Sequence, residues 1–291
     1  MTGLVTLSPG LQRLRAANPS PLTGTGTNTY ILGGQKIAII DPGPDLDAHL
    51  AAIRQATAGR QVQAIVVTHA HRDHSALAPR LAAATGAEVA AFGGARDGTS
   101  PRMAALAAGL GGSGEGLDLA FAPDRRLADG DRLTGPDWEL RALHTPGHLG
   151  GHLCLAMGRT LFSGDHVMGW ATSIVSPPEG DMGDYMASLD RLARESWDIA
   201  LPGHGEPVTD PAARIAELAA HRRKREAQVI AALAAGPATA ASLAARIYTD
   251  IPPRLLPAAT RNTLAHLVDL ASRNHAIANP APSADALWQL G

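Results

Sequence analysis

The sequence contains a single cysteine, Cys154, among its 291 residues, which excludes an intramolecular disulfide and a cysteine-rich zinc ribbon. Aromatic residues make up only 3% of the chain, and lysine occurs only at Lys36 and Lys224, so nearly all positive charge is arginine. The formal net charge of −2 gives no overall indication of a nucleic-acid partner. The composition is that of an ordinary globular protein, and the function has to be sought in local motifs.

Long apolar stretches are also missing. No run approaches the roughly 18 consecutive apolar residues that a transmembrane helix requires. The first residues, Met1-Thr2-Gly3-Leu4-Val5, lack the basic region, apolar stretch and small-residue cleavage site of a secretory signal. We therefore expect a cytoplasmic protein without a membrane partner, and its single thiol fits a reducing compartment.

The most informative stretch is residues 64–75. A short apolar run typical of a buried strand, residues 64–67, leads directly into His69, His71, Asp73 and His74. Neutral imidazoles and carboxylates are the nitrogen and oxygen ligands that zinc-like ions take. His69 and His71 are two positions apart, so both side chains leave the same side of an extended segment. The stretch predicts a metal site at the end of a strand.

The same order of strand, abrupt turn and then histidine or aspartate recurs later in the chain. It places His148, Asp165 and His204 after strand-like segments. Strands and helices alternate here, which predicts helices packed on sheets and a site at one sheet edge. Three further histidines lie beside these positions, and we expect them to support loops or face solvent rather than act directly: His144, His152 and His166.

Two segments carry weak patterns. Residues 8–28 are rich in Pro, Gly, Ser, Thr and Asn and are predicted to be an irregular lead-in, followed by a hairpin of residues 29–32 and 36–40. Residues 93–117 are rich in Ala and Gly. We predict a mobile surface loop with a short helix there, with a functional lid as the alternative.

The character of the sequence changes near residue 209, where the turns with histidine and glycine stop. We predict one domain over residues 1–208 and a second over residues 209–291. The second begins with a long helix from Pro211 to Ala235 and continues with two shorter helices and a small terminal hairpin. This mainly α-helical arrangement is similar to a winged-helix module.

The order His-x-His-x-Asp-His, then a single histidine, a Gly-Asp pair and a final Gly-His, resembles the metallo-β-lactamase-fold hydrolase superfamily over about residues 20–208. The resemblance implies an α/β fold, a four-layer αββα sandwich, with two metal ions along one sheet edge. It assigns three ligands to each ion and one bridging carboxylate: His69, His71 and His148 to the first, Asp73, His74 and His204 to the second, and Asp165 between them.

These implied ligands define a reaction class. Two cations about 3.5–4 Å apart share a water, lower its pKa and so give a bridging hydroxide nucleophile, and they polarise a carbonyl or phosphoryl oxygen. Asp73 is also a candidate catalytic residue, because it could accept a hydrogen bond from the nucleophile. We expect two Zn²⁺ ions, with Mn²⁺ or Fe²⁺ as alternatives, since iron-dependent persulfide dioxygenases share much of the pattern. Asp165 argues against antibiotic hydrolysis, because zinc β-lactamases have cysteine there or place later ligands differently.

Within the superfamily, residues 27–30, 69–75 and 184–189 and the helical tail resemble the beta-lactamase-like protein 2 group. That group includes a single-stranded RNA endonuclease, and its neighbours include glyoxalase II-like and polyketide-releasing thioesterases. We expect an ester or thioester substrate held in a small neutral pocket. Candidates for the pocket wall, with core packing as the alternative for each, are Met168, Trp170 and Tyr185.

Cleavage of RNA is the alternative prediction. It depends on the tail and on the basic run Arg222-Arg223-Lys224-Arg225, although adjacent charges on a helix usually solvate its outer face, and a nuclease groove needs more basic and aromatic residues. A third hypothesis, a DNA-binding regulator with a metal-sensing domain, is weaker because a regulator does not need a complete two-metal ligand set. For the tail itself, a lid or a homodimer surface over the active-site edge is the simpler hypothesis.

Overall fold

A computed structural model of the chain describes residues 3–111 and 116–291. Its strands are β1 (Val5–Ser8), β2 (Leu11–Arg15), β3 (Asn28–Leu32), β4 (Lys36–Ile40), β5 (Gln61–Val66), β6 (Glu88–Ala91), β7 (Arg125–Arg126), β8 (Arg132–Thr134), β9 (Glu139–His144), β10 (Leu153–Met157), β11 (Thr160–Gly164), β12 (Ile199–Pro202), β13 (Ala276–Asn279) and β14 (Leu287–Leu290). Its helices are α1 (Asp47–Ala56), α2 (Arg72–Ser75), α3 (Ala78–Thr85), α4 (Pro101–Leu110), α5 (Met182–Leu192), α6 (Pro211–Ala234), α7 (Ala240–Ile247) and α8 (Leu256–Ser272), with a 3-10 turn at Pro253–Leu255.

Two sheets face each other in the first part of the chain. One has the strand order β1-β2-β3-β4-β5-β6-β7, and the other has the order β12-β11-β10-β9-β8. The core between them is apolar and contains Ile40 and Val66 from the first sheet and Phe162 and Leu201 from the second. Helices cover both outer faces, α1 and α3 on the first sheet and α5 and α6 on the second. The predicted αββα sandwich is confirmed.

The strand directions bring several turns to one edge of the sandwich. β4 and β5 are parallel, and so are β11 and β12. β9 runs in the same direction as β11, because each is antiparallel to β10. The segments that follow β4, β5, β9, β11 and β12 therefore leave the sheets at their carboxyl ends, where ligands are collected in folds of this kind.

The C-terminal part has a core of its own. Helices α6, α7 and α8 and the hairpin of β13 and β14 enclose Val229, Leu243, Leu267 and Trp288, in agreement with the predicted winged-helix-like module. We call this unit, residues 211–290, the C-terminal module. None of the helices in the described ranges is both long and apolar enough to cross a membrane.

Two segments differ from their predictions. The lead-in over residues 8–28 contains β2, which pairs along its length with β3 and buries Leu11 and Leu14. Residues 93–117 were expected to form a loop with only a short helix, yet α4 extends over ten residues and buries Met103 and Leu110 in the core of the C-terminal module. The part of that prediction that covers residues 112–115 lies outside the described residues.

Candidate metal centre

The first predicted ligand set lies around the turn that follows β5. His69 Nε2 lies 3.0 Å from His71 Nδ1, and His148 Nε2 reaches the same His71 atom at 3.1 Å. His148 comes from the loop after β9, 77 residues away from His71 in sequence. Three imidazole nitrogens thus converge on one point, within 4.8 Å of one another, which is a spacing that a single metal ion could share.

The second predicted set lies beside the first. His204 Nε2, from the loop after β12, is 3.3 Å from His74 Nε2 and 3.2 Å from Asp73 Oδ2. His74 Nε2 in turn is 3.5 Å from Asp73 Oδ2. Two nitrogens and one carboxylate oxygen therefore face each other, a donor set that zinc, manganese and iron all accept.

Asp165 lies between the two sets. Its Oδ2 is 3.3 Å from His204 Nε2 and 3.8 Å from His148 Nε2, while its Oδ1 is 3.5 Å from His74 Nε2. This Oδ1 is buried and accepts no hydrogen bond from any residue in the described ranges. Buried carboxylate oxygens are costly without a partner, so the open lone pairs fit a bound cation.

Asp41, at the end of β4, fixes two of the imidazoles. Its Oδ2 accepts hydrogen bonds from His74 Nδ1 at 2.9 Å and from Thr68 Oγ1 at 2.8 Å. Because Thr68 donates to Asp41, its Oγ1 accepts from His69 Nδ1 at 3.0 Å. In both histidines the proton is therefore on Nδ1, and the Nε2 lone pair faces the centre.

The other imidazoles are oriented by backbone carbonyls. His148 Nδ1 donates to Ile174 O at 2.7 Å, and His204 Nδ1 donates to Gly26 O at 3.3 Å. Both again direct Nε2 into the centre, whereas His71 presents Nδ1. Hydrogen bonds within the protein thus hold four of the five imidazoles in the tautomer and orientation of a metal ligand.

The electrostatics divide the two sets. Burial lowers the pKa of His69, His71 and His148, to about 3 for His71, so these rings are neutral and keep a free lone pair. Burial also opposes charge on His74 and His204, but neighbouring carboxylates outweigh it and raise the pKa of His204 to about 9 and that of His74 well above its ordinary value. The second set therefore attracts positive charge, which a divalent cation would supply.

Supporting roles were predicted for all three neighbouring histidines, and two of them hold loops through hydrogen bonds. His152 Nε2 accepts a hydrogen bond from the Asp165 backbone N–H at 3.2 Å, and its Nδ1 is 3.0 Å from Thr145 Oγ1. His144 donates through Nε2 to Gly150 O at 2.8 Å. His166 is fully buried, and neither ring nitrogen has a hydrogen-bond partner among the described residues.

The three candidates for a substrate pocket are placed very differently. Tyr185 is fully buried, and its hydroxyl donates to His166 O at 3.0 Å, so it does not fit the predicted role in a pocket wall. Helix α5 directs this ring into the core, against α6. Met168 is only 5% exposed, whereas Trp170 is 45% exposed and packs against Gly205, directly after His204. Trp170 is the candidate that the geometry retains.

The basic run on α6 does not form a surface patch. Arg222 is 1% exposed and donates to Ser173 O and, at 3.2 Å, to Asn262 Oδ1. The guanidinium of Arg225 lies 4.1 Å from the centroid of the Tyr248 ring. Only Arg223 and Lys224 of the four are exposed.

Helix α8 is equally inaccessible. It precedes the β13–β14 hairpin, the position from which a winged helix inserts its recognition helix into a groove. Ten of its 17 residues are buried, among them Asn262, Ala265 and Asp269. Some of these pack on the sandwich rather than on the module's own core. The nucleic-acid hypotheses therefore lose the surface on which they depended.

Comparison with known proteins gives two family matches along this chain. Residues 22–204 match the metallo-beta-lactamase superfamily, and residues 239–281 match the beta-lactamase associated winged helix domain. A beta-lactamase-like protein 2 homolog from Drosophila melanogaster is 31% identical over 279 residues, covering 91% of this chain and 88% of that protein. An atrochrysone carboxyl ACP thioesterase from Aspergillus chevalieri is 31% identical over 235 residues, covering 78% of this chain and 67% of that protein.

The fold of the whole chain has also been seen before. The crystal structure of a metallo-beta-lactamase family protein from Thermus thermophilus superposes with a TM-score of 0.78 at 26% identity. The match covers 98% of this chain and 100% of that one. Sandwich and C-terminal module therefore occur together in that structure.

Proposed function

The chain belongs to the metallo-β-lactamase superfamily of hydrolases, and from this premise we propose that it is a binuclear metal-dependent hydrolase of esters or thioesters. One observation carries the proposal. Two donor sets adjoin at a single sheet edge, share the neighbouring carboxylate of Asp165, and consist of nitrogen and oxygen atoms with open lone pairs.

The proposed ligands are the seven predicted residues. His69, His71 and His148 would hold one ion, Asp73, His74 and His204 the other, and Asp165 would contact both. When bound, two divalent ions supply a water of lowered pKa and polarise the oxygen of a carbonyl group.

Asp73 is the proposed proton acceptor in this reaction. Its side chain is 26% exposed, against 11% for Asp165, so it is the carboxylate that a reacting water can approach. Thr27 Oγ1 donates to Asp73 Oδ2 at 3.2 Å and orients it. Burial opposes ionisation of Asp73, but the charge of His74 and the hydrogen bond from His204 outweigh it when these rings are protonated and hold the pKa of Asp73 below its ordinary value. A bound cation in place of those protons would act in the same direction, so the group is ionised in either case.

An acyl substrate is supported by two observations. A relative that is 31% identical is named as an acyl carrier protein thioesterase, and exposed Trp170 beside His204 offers an apolar contact for an acyl group. Zn²⁺ is the proposed ion, with Mn²⁺ and Fe²⁺ compatible with the same donors. We do not propose RNA as a substrate, because half of the basic run is occupied inside the fold.

The test combines metal analysis with a substrate panel. Purified protein reconstituted with Zn²⁺, Mn²⁺ or Fe²⁺ is expected to retain about two equivalents per chain. It should hydrolyse acyl thioesters or esters faster than lactones, phosphodiesters or single-stranded RNA. Failure to retain any of these ions would contradict the metal centre, and faster cleavage of RNA than of every acyl substrate would contradict the substrate class.

A further inference from the structure

A loop between β11 and α5, residues 173–176, touches the candidate metal centre on one side. The carbonyl oxygen of Ile174 accepts the hydrogen bond that orients His148, with 2.7 Å between Nδ1 and O. Ser173 Oγ donates to the backbone carbonyl of Asp165 and lies 3.0 Å from that of His166. This loop therefore holds two of the proposed ligands, His148 by its side chain and Asp165 by its backbone.

The C-terminal module holds the same loop from the other side. Val175 N–H donates to Asn262 Oδ1 at 2.9 Å, and Arg222 donates to the Ser173 carbonyl. Arg261 Nε donates to Ser176 Oγ at 2.9 Å. Asn262 also accepts from Arg222 at 3.2 Å, so the side chains from α6 and α8 form one connected network.

The loop depends on these partners because two of its four residues are buried and it has no regular structure. Ser173 and Val175 are 1% and 0% exposed, and residues 173–176 lie in no helix or strand. A buried backbone group is costly without a hydrogen-bond partner, so the loop would shift to find water or another partner. Such a shift moves Ile174 O away from His148 and releases the Asp165 backbone.

We propose that the C-terminal module positions the metal centre through residues 173–176, with Asn262 as the principal positioning residue. The module is then a structural part of the active site rather than a lid over it. Within residues 3–111 and 116–291, the Asn262 side chain accepts hydrogen bonds from Val175 and Arg222 and has none with a proposed ligand, so it acts through the loop. The proposal rests on the proposed function, since it requires that the centre binds metal.

The experiment uses the full-length protein after its metal has been removed, and compares the unsubstituted protein with Asn262→Leu, Asn262→Asp and Asp269→Asn. Zn²⁺ affinity is measured by competition with a chelator, and the geometry of the centre is followed by the absorption spectrum of bound Co²⁺. Asn262→Leu removes the acceptor and keeps the size, and is expected to weaken binding of at least one ion by about 10–100-fold and to change the Co²⁺ spectrum. Asn262→Asp keeps the oxygen acceptor. Its metal affinity should stay within about threefold of that of the unsubstituted protein, and its Co²⁺ spectrum should be unchanged.

Asp269→Asn is the matched control. Asp269 lies on the same helix, where its carboxylate is 2.8 Å from Arg273 and 3.7 Å from Arg102 of α4. Its hydrogen bonds with side chains in the described part of the chain are those from Arg273 and Ser272, and none comes from the loop. The metal affinity of this variant should stay within about threefold of that of the unsubstituted protein, because Asn keeps the size of Asp269 and its amide oxygen can still accept a hydrogen bond from Arg273. An equal loss in Asp269→Asn would overturn the proposal, because general loosening of the module would then explain the effect.

Two further outcomes separate this proposal from the proposed function. If the unsubstituted protein binds no metal, the proposed function fails. If it binds metal and folded Asn262→Leu binds it equally well with the same Co²⁺ spectrum, only the positioning role fails. Should Asn262→Leu not fold, Arg261→Met, which removes a partly exposed contact to Ser176, provides the same comparison: a changed Co²⁺ spectrum supports the proposal and an unchanged one overturns it.

Discussion

Two dense runs of polar residues in the sequence, residues 69–74 and residues 222–225, have opposite outcomes in the structure. His69, His71, Asp73 and His74 contribute to two adjoining donor sets at one sheet edge. The basic run over residues 222–225 spreads its side chains around α6, so that Arg222 points into the protein and Arg223 points to solvent. Density of one chemical type therefore does not by itself make a site.

The backbone explains the difference. Residues 69–74 leave a strand, turn and enter the short helix α2, and an irregular path of this kind can bring neighbouring side chains together. Residues 222–225 lie within a regular helix, where successive side chains are separated by about 100° and only positions three or four apart share a face. A run of adjacent charges on a helix must therefore divide between the core and the solvent.

The largest expected effect comes from removing members of the convergent run. His71→Ala and Asp73→Ala should each lower hydrolysis by at least about 10³-fold, because residues of one catalytic set act as a unit. The fold should be kept, since both side chains are partly exposed at an edge. Steady-state kinetics on the substrate found in the panel, together with metal content and circular dichroism, measure this.

The control for these variants is His275→Ala, which removes an exposed histidine from the C-terminal module. Its activity and metal content should match those of the unsubstituted protein. Activity retained in both His71→Ala and Asp73→Ala would show that residues 69–74 are not required for hydrolysis. The two runs would then differ in structure but not in function.

An intermediate effect is expected within the basic run itself. Arg222→Met should lower the free energy of unfolding by about 1–3 kcal/mol, because the Ser173 carbonyl loses a buried charged donor. Arg223→Met, its neighbour on the exposed face, should change it by less than about 0.5 kcal/mol. Urea unfolding of the metal-free proteins compares the two, and equal shifts would contradict the division of the run between core and solvent.

The sequence motifs predicted much of the fold because they are local. A buried strand followed by a turn and a histidine is visible within ten residues, and the repetition of that pattern predicted helices packed on sheets and a site at one sheet edge. The four-layer sandwich was predicted from the resemblance to the superfamily. The helical module was predicted in the same way, from apolar spacing along α6 and from Gly236 after it.

Features that depend on distant partners could not be predicted. The sequence does not predict β2, because Arg13 and Arg15 interrupt the apolar pattern of a strand. Both arginines form ion pairs with Glu206, about 190 residues away, at 2.8 and 2.6 Å. The packing of α4 on the C-terminal module has no signature in an alanine-rich segment. Asp41 carried a usable signal, since it too follows a buried strand, but an Asp-Pro-Gly sequence equally indicates a simple turn.

The smallest expected effect tests the exposed half of the basic run. Arg223 and Lys224 are the two exposed members of the run, so they could make at most two phosphate contacts. Two contacts release few counterions: a plot of log affinity against log salt concentration would have a slope of only about −2, which corresponds to weak binding. We therefore expect no gel retardation of single-stranded RNA or duplex DNA at about 50 mM salt. The double variant Arg223→Ala/Lys224→Ala should behave the same, as should Arg54→Ala/Arg194→Ala, which removes two exposed charges elsewhere. A contrary result would be binding that Arg223→Ala/Lys224→Ala abolishes and Arg54→Ala/Arg194→Ala preserves. It would show that two exposed charges suffice for a nucleic-acid site, and that the basic run is functional although its side chains point in different directions.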